Sequence, residues 1–187
     1  MLCWRVHQTL QLHPDSRCDA LTAIDAEIRR MHAGLWVRFT ARGKIADILR
    51  SPAVLSRRAE ELWKSTCFEA FLRARPDYPY YEFNFSPSRE WAVYRFAQYR
   101  EGRTCPDDIV PQQEWTDSDA QLQLQANLDF QEAADMPSDK EWLIGLSAVI
   151  EETNGRKSYW ALRHPAGKPD FHHPDCFALE LPPPSAG

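Results

Sequence analysis

The sequence predicts an all-β fold: a two-sheet antiparallel β-sandwich of immunoglobulin or jelly-roll type, with about ten strands and at most one short helix. Three observations predict it. The stretch Leu62 to Arg100 holds Trp63, Trp91, five tyrosines and five phenylalanines, and aromatic residues favour half-buried strands. Apolar and polar residues alternate elsewhere, most cleanly from Gln121 to Phe130. Proline, glycine, serine and aspartate punctuate these runs at short intervals, with none of the strand–helix alternation that marks a parallel sheet.

In chain order, Cys3 to Leu12 reads as a strand with Trp4, Val6, Leu10 and Leu12 on one face, interrupted by Gln8 and stopped at His13-Pro14-Asp15-Ser16. Ala20 to Arg30 leaves two readings open, since Leu21, Ile24 and Ile28 have helical spacing while the segment also feeds a turn at Ala33-Gly34. Leu35, Val37 and Phe39 alternate with Trp36, Arg38 and Thr40 as a strand, and Arg42-Gly43 predicts a hairpin into a short strand over Lys44 to Leu49. Ala53 to Glu61 reads as a polar connection.

The aromatic centre divides into three strands, broken first at Pro76, Asp77 and Pro79 and then at Ser86-Pro87-Ser88. Glu101 to Asp119 is loop-rich, with a short strand expected near Val110. Gln121 to Phe130 is the next strand. Trp142 to Ile150 is apolar on both faces, as a central strand is. Asn154-Gly155 is a hairpin signal returning as Ser158 to His164. The loop HPAGKPDFHHPD leads to a last strand at Phe177 to Leu181. Residues 1–187 thus read as one domain with a proline-rich tail over 182–187.

Composition limits the function classes. A hydrophobic content of 43% fits a globular chain, and the net charge of −5 gives no attraction to nucleic acid or an anionic membrane. No apolar run approaches the ~20 residues of a membrane helix. The start MLCWRVHQTLQLHPDS lacks the basic, apolar and small-residue pattern of a secretory signal. Five cysteines without CxxC spacing suit reduced thiols. A cytoplasmic location is the expectation, with no structural metal.

The polar residues among the aromatics are the first candidates for chemistry. One sheet face is expected to carry Glu69, Glu82, Asn84 and Arg95 beside Trp91 and Tyr80. Aromatic platforms with convergent carboxylate, amide and guanidinium groups suit a sugar, whose CH faces stack and whose hydroxyls take paired hydrogen bonds. Taken singly, each carboxylate reads as the partner of Arg95 on a solvated face, and each tryptophan as core; the combination favours a binding face. A second cluster, His164, Asp170, His172 and His173, lies in the late loop, where it could line the mouth of a pocket. It matches no zinc spacing. No nucleophile elbow, P-loop or dinucleotide motif is present, so no catalytic residue is assigned.

The stretches LWKSTCFEAFL, YYEFNFSPSREWAVYRFAQYR and SYWALRHPAGKPDFHHPDCF resemble a bacterial branch of the DOMON-like superfamily, over most of the chain. That superfamily includes family 9 carbohydrate-binding modules and haem-binding cytochrome domains. The resemblance implies a β-sandwich and a non-catalytic module for a small saccharide. It also implies Trp63 and Trp160 as stacking platforms, with Glu69, Arg95 and Asn84 bonding hydroxyls. The haem-binding branch, which uses methionine with histidine or lysine as axial ligands, implies the alternative of a haem-binding or redox-associated domain with His164 or His172 as a ligand. A protein-interaction or weak enzymatic role, with Glu69 and Glu82 as a carboxyl pair, is the remaining alternative.

Overall fold

The structure, a computed structural model, describes residues 5–75 and 79–184. Its five-stranded sheet runs in the order β1 (Arg5–Thr9), β3 (Leu21–Met31), β4 (Gly34–Gly43), β10 (Gln121–Asp129), β9 (Gln112–Asp117). The eight-stranded sheet runs β2 (Gln11–Leu12), β12 (Lys157–Ala161), β11 (Trp142–Glu151), β6 (Cys67–Ala74), β7 (Tyr80–Phe85), β8 (Glu90–Phe96), β5 (Arg57–Arg58). Its eighth strand, β13 (Leu179–Leu181), pairs with Trp142–Ile144 of β11, beyond the stretch that β12 takes. The two sheets stack as an all-β sandwich, as the sequence predicts. Among the described residues the only helices are three 3₁₀ turns, Ile45–Asp47, Leu62–Lys64 and Pro174–Cys176. Among the described residues no helix is long and apolar enough to cross a membrane.

The N-terminal run is one element in sequence and two in space. Cys3 and Trp4 lie outside the described residues, and the rest divides at Leu10. β1 pairs with β3 in one sheet, and β2 pairs with β12 in the other. Leu10 is buried at the crossing and its N–H donates to the Ile24 carbonyl at 2.8 Å. A strand that changes sheets makes a corner of the sandwich.

The ambiguous run after Ala20 is a strand of 11 residues. Its helical spacing is overridden because β4 returns beside it from Gly34, pairing Ile28 with Val37 and Ala26 with Phe39. The expected strand over Lys44–Leu49 is corrected to a 3₁₀ turn. Gly43 has φ +149° there, and a Cβ on it would lie 2.1 Å from the Ala20 carbonyl oxygen, so the chain passes too close for a hairpin. Ile45 and Ile48, three apart as a 3₁₀ turn repeats, plug the sandwich end. The strand expected near Val110 begins at Gln112, and Val110 itself is exposed. The last strand shortens to β13 because Pro174–Cys176 folds as a turn.

The turn at Pro76 and Asp77 lies outside the described residues, as do residues 185–187 of the proline-rich tail. The turn at Ser86–Arg89 closes by a hydrogen bond from Arg89 N–H to the Ser86 carbonyl and places Arg89 at φ +71°. That is the arrangement of a three-residue hairpin, and it fixes the register of β7 against β8.

Between the sheets lies the main core, with Ile24, Phe39, Phe68, Phe83, Leu124 and Trp142 essentially inaccessible. The outer face of the five-stranded sheet is polar: Glu27 is held by Arg5, Arg29 and Arg38. Burial opposes its ionisation, yet hydrogen bonds from those arginines bring its pKa down to about 2. The eight-stranded sheet differs. Its strands β6 and β7 are buried on both faces, because a second apolar cluster covers the outside. Phe71, Tyr80, Tyr94 and Phe96 there meet Phe171 and Phe177 of the loop between β12 and β13. Gly145 permits this roof, since a Cβ on it would lie 2.9 Å from the Cys176 carbonyl oxygen.

Candidate binding site

The roof leaves part of the outer face open. There a cleft of about 480 Å³ opens between the Leu62–Lys64 turn, the loop after β8 and the loop after β12. That volume is ordinary for a small-molecule site, for which ~300–1,000 Å³ is usual.

Strand register builds its floor. One cross-strand row carries Ser147, Glu69, Asn84 and Ala92, and the next carries Gly145, Phe71, Glu82 and Tyr94. Glu69 and Asn84 at the centre of the first row and Glu82 in the second make the depression polar at its base. Ser147 Oγ donates to Glu69 Oε2 at 3.2 Å, and Asn84 Nδ2 donates to Glu82 Oε1 at 2.7 Å. Beneath them Cys67 donates its thiol to Asn84 Oδ1.

Burial of two adjacent carboxyls has an electrostatic consequence, since neither ion is well solvated and both together repel. Burial, reinforced by Glu82, pushes Glu69 well above the usual carboxylate range. Glu82 is raised to about 7, chiefly by burial, against the opposing pull of the Asn84 amide, Arg100 and Arg103. Cys67 is pushed up as well, by burial and by both carboxyls, so it is a packed thiol and not a nucleophile.

His172 stands at the wall. Its Nδ1 is 2.8 Å from the Tyr80 hydroxyl and its Nε2 is 3.7 Å from Glu82 Oε2. Burial, with Arg100 nearby, lowers its pKa to about 4 against the pull of Asp170, so the ring is neutral at physiological pH. The neutral ring can accept the Tyr80 proton on Nδ1 and keep its own proton on Nε2, facing Glu82.

The aromatic walls are Trp63 and Tyr94, which meet edge to face at 5.9 Å, and across from them Tyr159 and Phe171, tilted at 6.2 Å. Arg103 lies over the Tyr94 ring at 5.0 Å, and Arg100 is tied to Asp170 at 2.7 Å, with Tyr99 also bonded to that carboxylate. Two backbone positions at this rim have left-handed φ without being glycine, Glu61 at +61° beside Trp63 and Arg100 at +57°. Such positions cost of order 1–3 kcal/mol and are retained where the surroundings impose them.

Of the residues singled out from the sequence, Trp63, Glu69, Glu82 and His172 line this cleft, Asn84 supports Glu82, and Asp170 supports Arg100. Four lie elsewhere. Arg95 does not share a face with the carboxyls: Glu82 pairs with Tyr94, so the odd-numbered residues of β8 turn inward, and Arg95 pairs with Asp135 at 2.5 Å. Trp91 turns inward for the same reason and carries Arg58 over its ring. Trp160 is core, its Nε1 donating to Ser158 Oγ, while its neighbour Tyr159 faces the cleft. A one-residue step reverses the face of a strand. His164 sits at the sheet edge, against His13 and the Gln11 carbonyl.

Tyr94, Phe96, Arg100, Arg103, Tyr159 and Phe171 are cleft residues that the sequence alone does not single out. For Tyr94 and Phe96 the signal was present in the hairpin Ser86–Arg89, whose length sets which residues of β8 stand beside Glu82. Phe171 lay within the loop already expected at a pocket mouth. Arg100 and Arg103 belong to an irregular turn, and no periodicity marks them.

No protein-family model and no curated protein matches the sequence. Solved structures do. A protein from Bacteroides uniformis, described as a "putative carbohydrate-binding protein", superposes with a TM-score of 0.68 at 14% identity, over 91% of this chain and 83% of its own. A family 9 carbohydrate-binding module from Caldicellulosiruptor kristjanssonii, in complex with glucose, gives a TM-score of 0.45 at 11% identity, over 84% of this chain and 76% of its own. Its complex with cellotriose gives 0.46 at 13%, over 84% and 74%. The first likeness, at that identity, is one of fold.

Proposed function

We propose that this protein is a non-catalytic saccharide-binding module whose ligand occupies the cleft on the outer face of the eight-stranded sheet. One observation carries the reading: aromatic walls stand over a buried polar floor in a single opening, with Trp63, Tyr94 and Tyr159 around Glu69 and Glu82. A sugar presents apolar CH faces to rings and hydroxyls to carboxyls and guanidinium groups, and a buried polar group left without a partner costs ~1–3 kcal/mol. The Bacteroides uniformis protein adds a fold of the same kind; fold alone does not confer function, so the weight rests on the cleft. The DOMON-like resemblance agrees with this reading through its carbohydrate-binding branch.

The haem alternative fits the described residues poorly. Both His172 nitrogens are directed at Tyr80 and Glu82, Met136 is buried between the sheets, and Met31 lies at the turn before Gly34. Among the described residues no axial pair is presented to the cleft.

The test is a thermal-shift screen of the purified protein against mono- and disaccharides, with the Trp63→Ala protein as control. A ligand at 100 times its dissociation constant stabilises the native state by about 2.7 kcal/mol. A shift in the wild type that Trp63→Ala abolishes supports the reading. A shift that persists in the variant places the sugar elsewhere, and no shift with any sugar at high millimolar concentration contradicts the proposal.

A further inference from the structure

Two arginines, Arg100 and Arg103, line the cleft, while its floor carboxyls already take hydrogen bonds from within. Asn84 and Ser147 spend their side-chain donors on Glu82 and Glu69 within the floor. What remains at the opening is the guanidinium of Arg103 and the outer edge of Arg100. Burial of Glu69 favours its neutral acid, which also donates.

The two arginines are balanced unequally. Asp170 engages Arg100, whereas Arg103 makes no ion pair among the described residues and rests on the Tyr94 ring. An arginine stacked on an aromatic ring keeps its planar fork pre-organised, and that fork matches a carboxylate. A neutral hexose leaves Arg103 without a counter-charge. A sugar with a single negative charge supplies one, and balances Arg103 without placing a doubly charged group beside Glu82.

Granting that the cleft is the saccharide site, we propose that its ligand is an acidic sugar bearing a carboxylate, of the hexuronic acid class, and that Arg103 receives that carboxylate. The ring would stack against Trp63 or Tyr159, with the carboxylate directed to the loop after β8. Arg103 is exposed, so replacing it leaves the folded sheet intact.

Isothermal titration with matched pairs tests this: glucuronate against glucose, and galacturonate against galactose, on the wild type and on Arg103→Gln. The expected result is that the wild type prefers one acid over its neutral counterpart by about tenfold or more, as a charge-assisted bond implies. Arg103→Gln should remove that preference, costing the acid more affinity than it costs the neutral sugar. Added salt should weaken only the acid. Equal affinity for acid and neutral sugar, or a preference that survives Arg103→Gln, overturns the inference and leaves the saccharide reading standing. Tighter binding of glucose 6-phosphate than of either uronate overturns the carboxylate assignment. No binding by any of these sugars overturns both.

Discussion

The side-chain amide of Asn84 donates to Glu82 Oε1 at 2.7 Å, with both residues buried on the same face of β7. Residues i and i+2 of a strand share a face, and here the face is the floor of the cleft. The amide steadies the ionised form of Glu82 while burial opposes it, and burial prevails, leaving the carboxyl titrating near 7.

That balance predicts a pH dependence. The unfolded chain ionises Glu82 at about 4.5 and the folded chain at about 7, so between those values the folded state holds more protons. Stability contributed by this group is full below 4.5 and is lost as pH rises to 7. Denaturant midpoints of the wild type and Glu82→Gln, measured from pH 4 to 8, should diverge, the variant gaining relative to the wild type by a few kcal/mol across that window. A constant difference between the two proteins contradicts the assignment.

Arg100 is predicted to trade stability for binding. Its φ of +57° suits glycine, which reaches this region without the Cβ penalty of ~1–2 kcal/mol. The bond to Asp170 involves an arginine side chain that is half exposed, and such pairs contribute ~0–1 kcal/mol. Arg100→Gly should therefore leave the urea midpoint unchanged or raised while weakening the bound sugar about tenfold. A large drop in midpoint would show that the side chain holds the turn.

Two tryptophans should behave oppositely. Trp160 is packed between the sheets, and Trp160→Ala should cost ~3–5 kcal/mol of stability. Trp63, half-buried on a 3₁₀ turn, should cost far less when truncated yet abolish the thermal shift by sugar. Paired urea melts and ligand titrations check both. Equal stability losses would contradict the placement of Trp63 at a solvent-facing wall.

Arg95→Gln should not alter sugar affinity. Its guanidinium meets Asp135 on the other side of the sheet, and both groups are about 30% exposed, which limits the stability loss to ~1 kcal/mol. An affinity loss comparable to that of Arg100→Gly would restore Arg95 to the site.

How far the sequence discloses this arrangement follows from what repeats in it. The alternation Gln121–Phe130 reappears as buried and half-buried positions along β10, because one face meets the core and the other meets water. Glu69 and Glu82 were legible on the outer face for a similar reason: Phe68, Ala70, Tyr81 and Phe83 claim the core between them. Which face of β8 joins that set was not legible, because β8 is apolar on both faces and only its register with β7 decides. Read from sequence alone, Arg95 therefore falls with the carboxyls, whereas the register places Tyr94 there. Arg100, Arg103 and Phe171 belong to loops, whose conformation depends on single contacts such as the approach of Cys176 to Gly145. The turn over Ile45–Asp47 replaces an expected strand because Ala20 crowds Gly43, a contact between segments that sequence order keeps apart.

The most direct test of the central claim is amide chemical-shift mapping of the ¹⁵N-labelled protein titrated with whichever sugar shifts its melting point. Binding in the cleft predicts perturbed amides at Trp63, Tyr94, Arg100, Arg103, Tyr159 and Phe171, while those of Glu27, Arg38 and Gln125 on the polar face of the five-stranded sheet stay unmoved. Perturbations confined to that polar face, or spread evenly over the surface, would contradict the account.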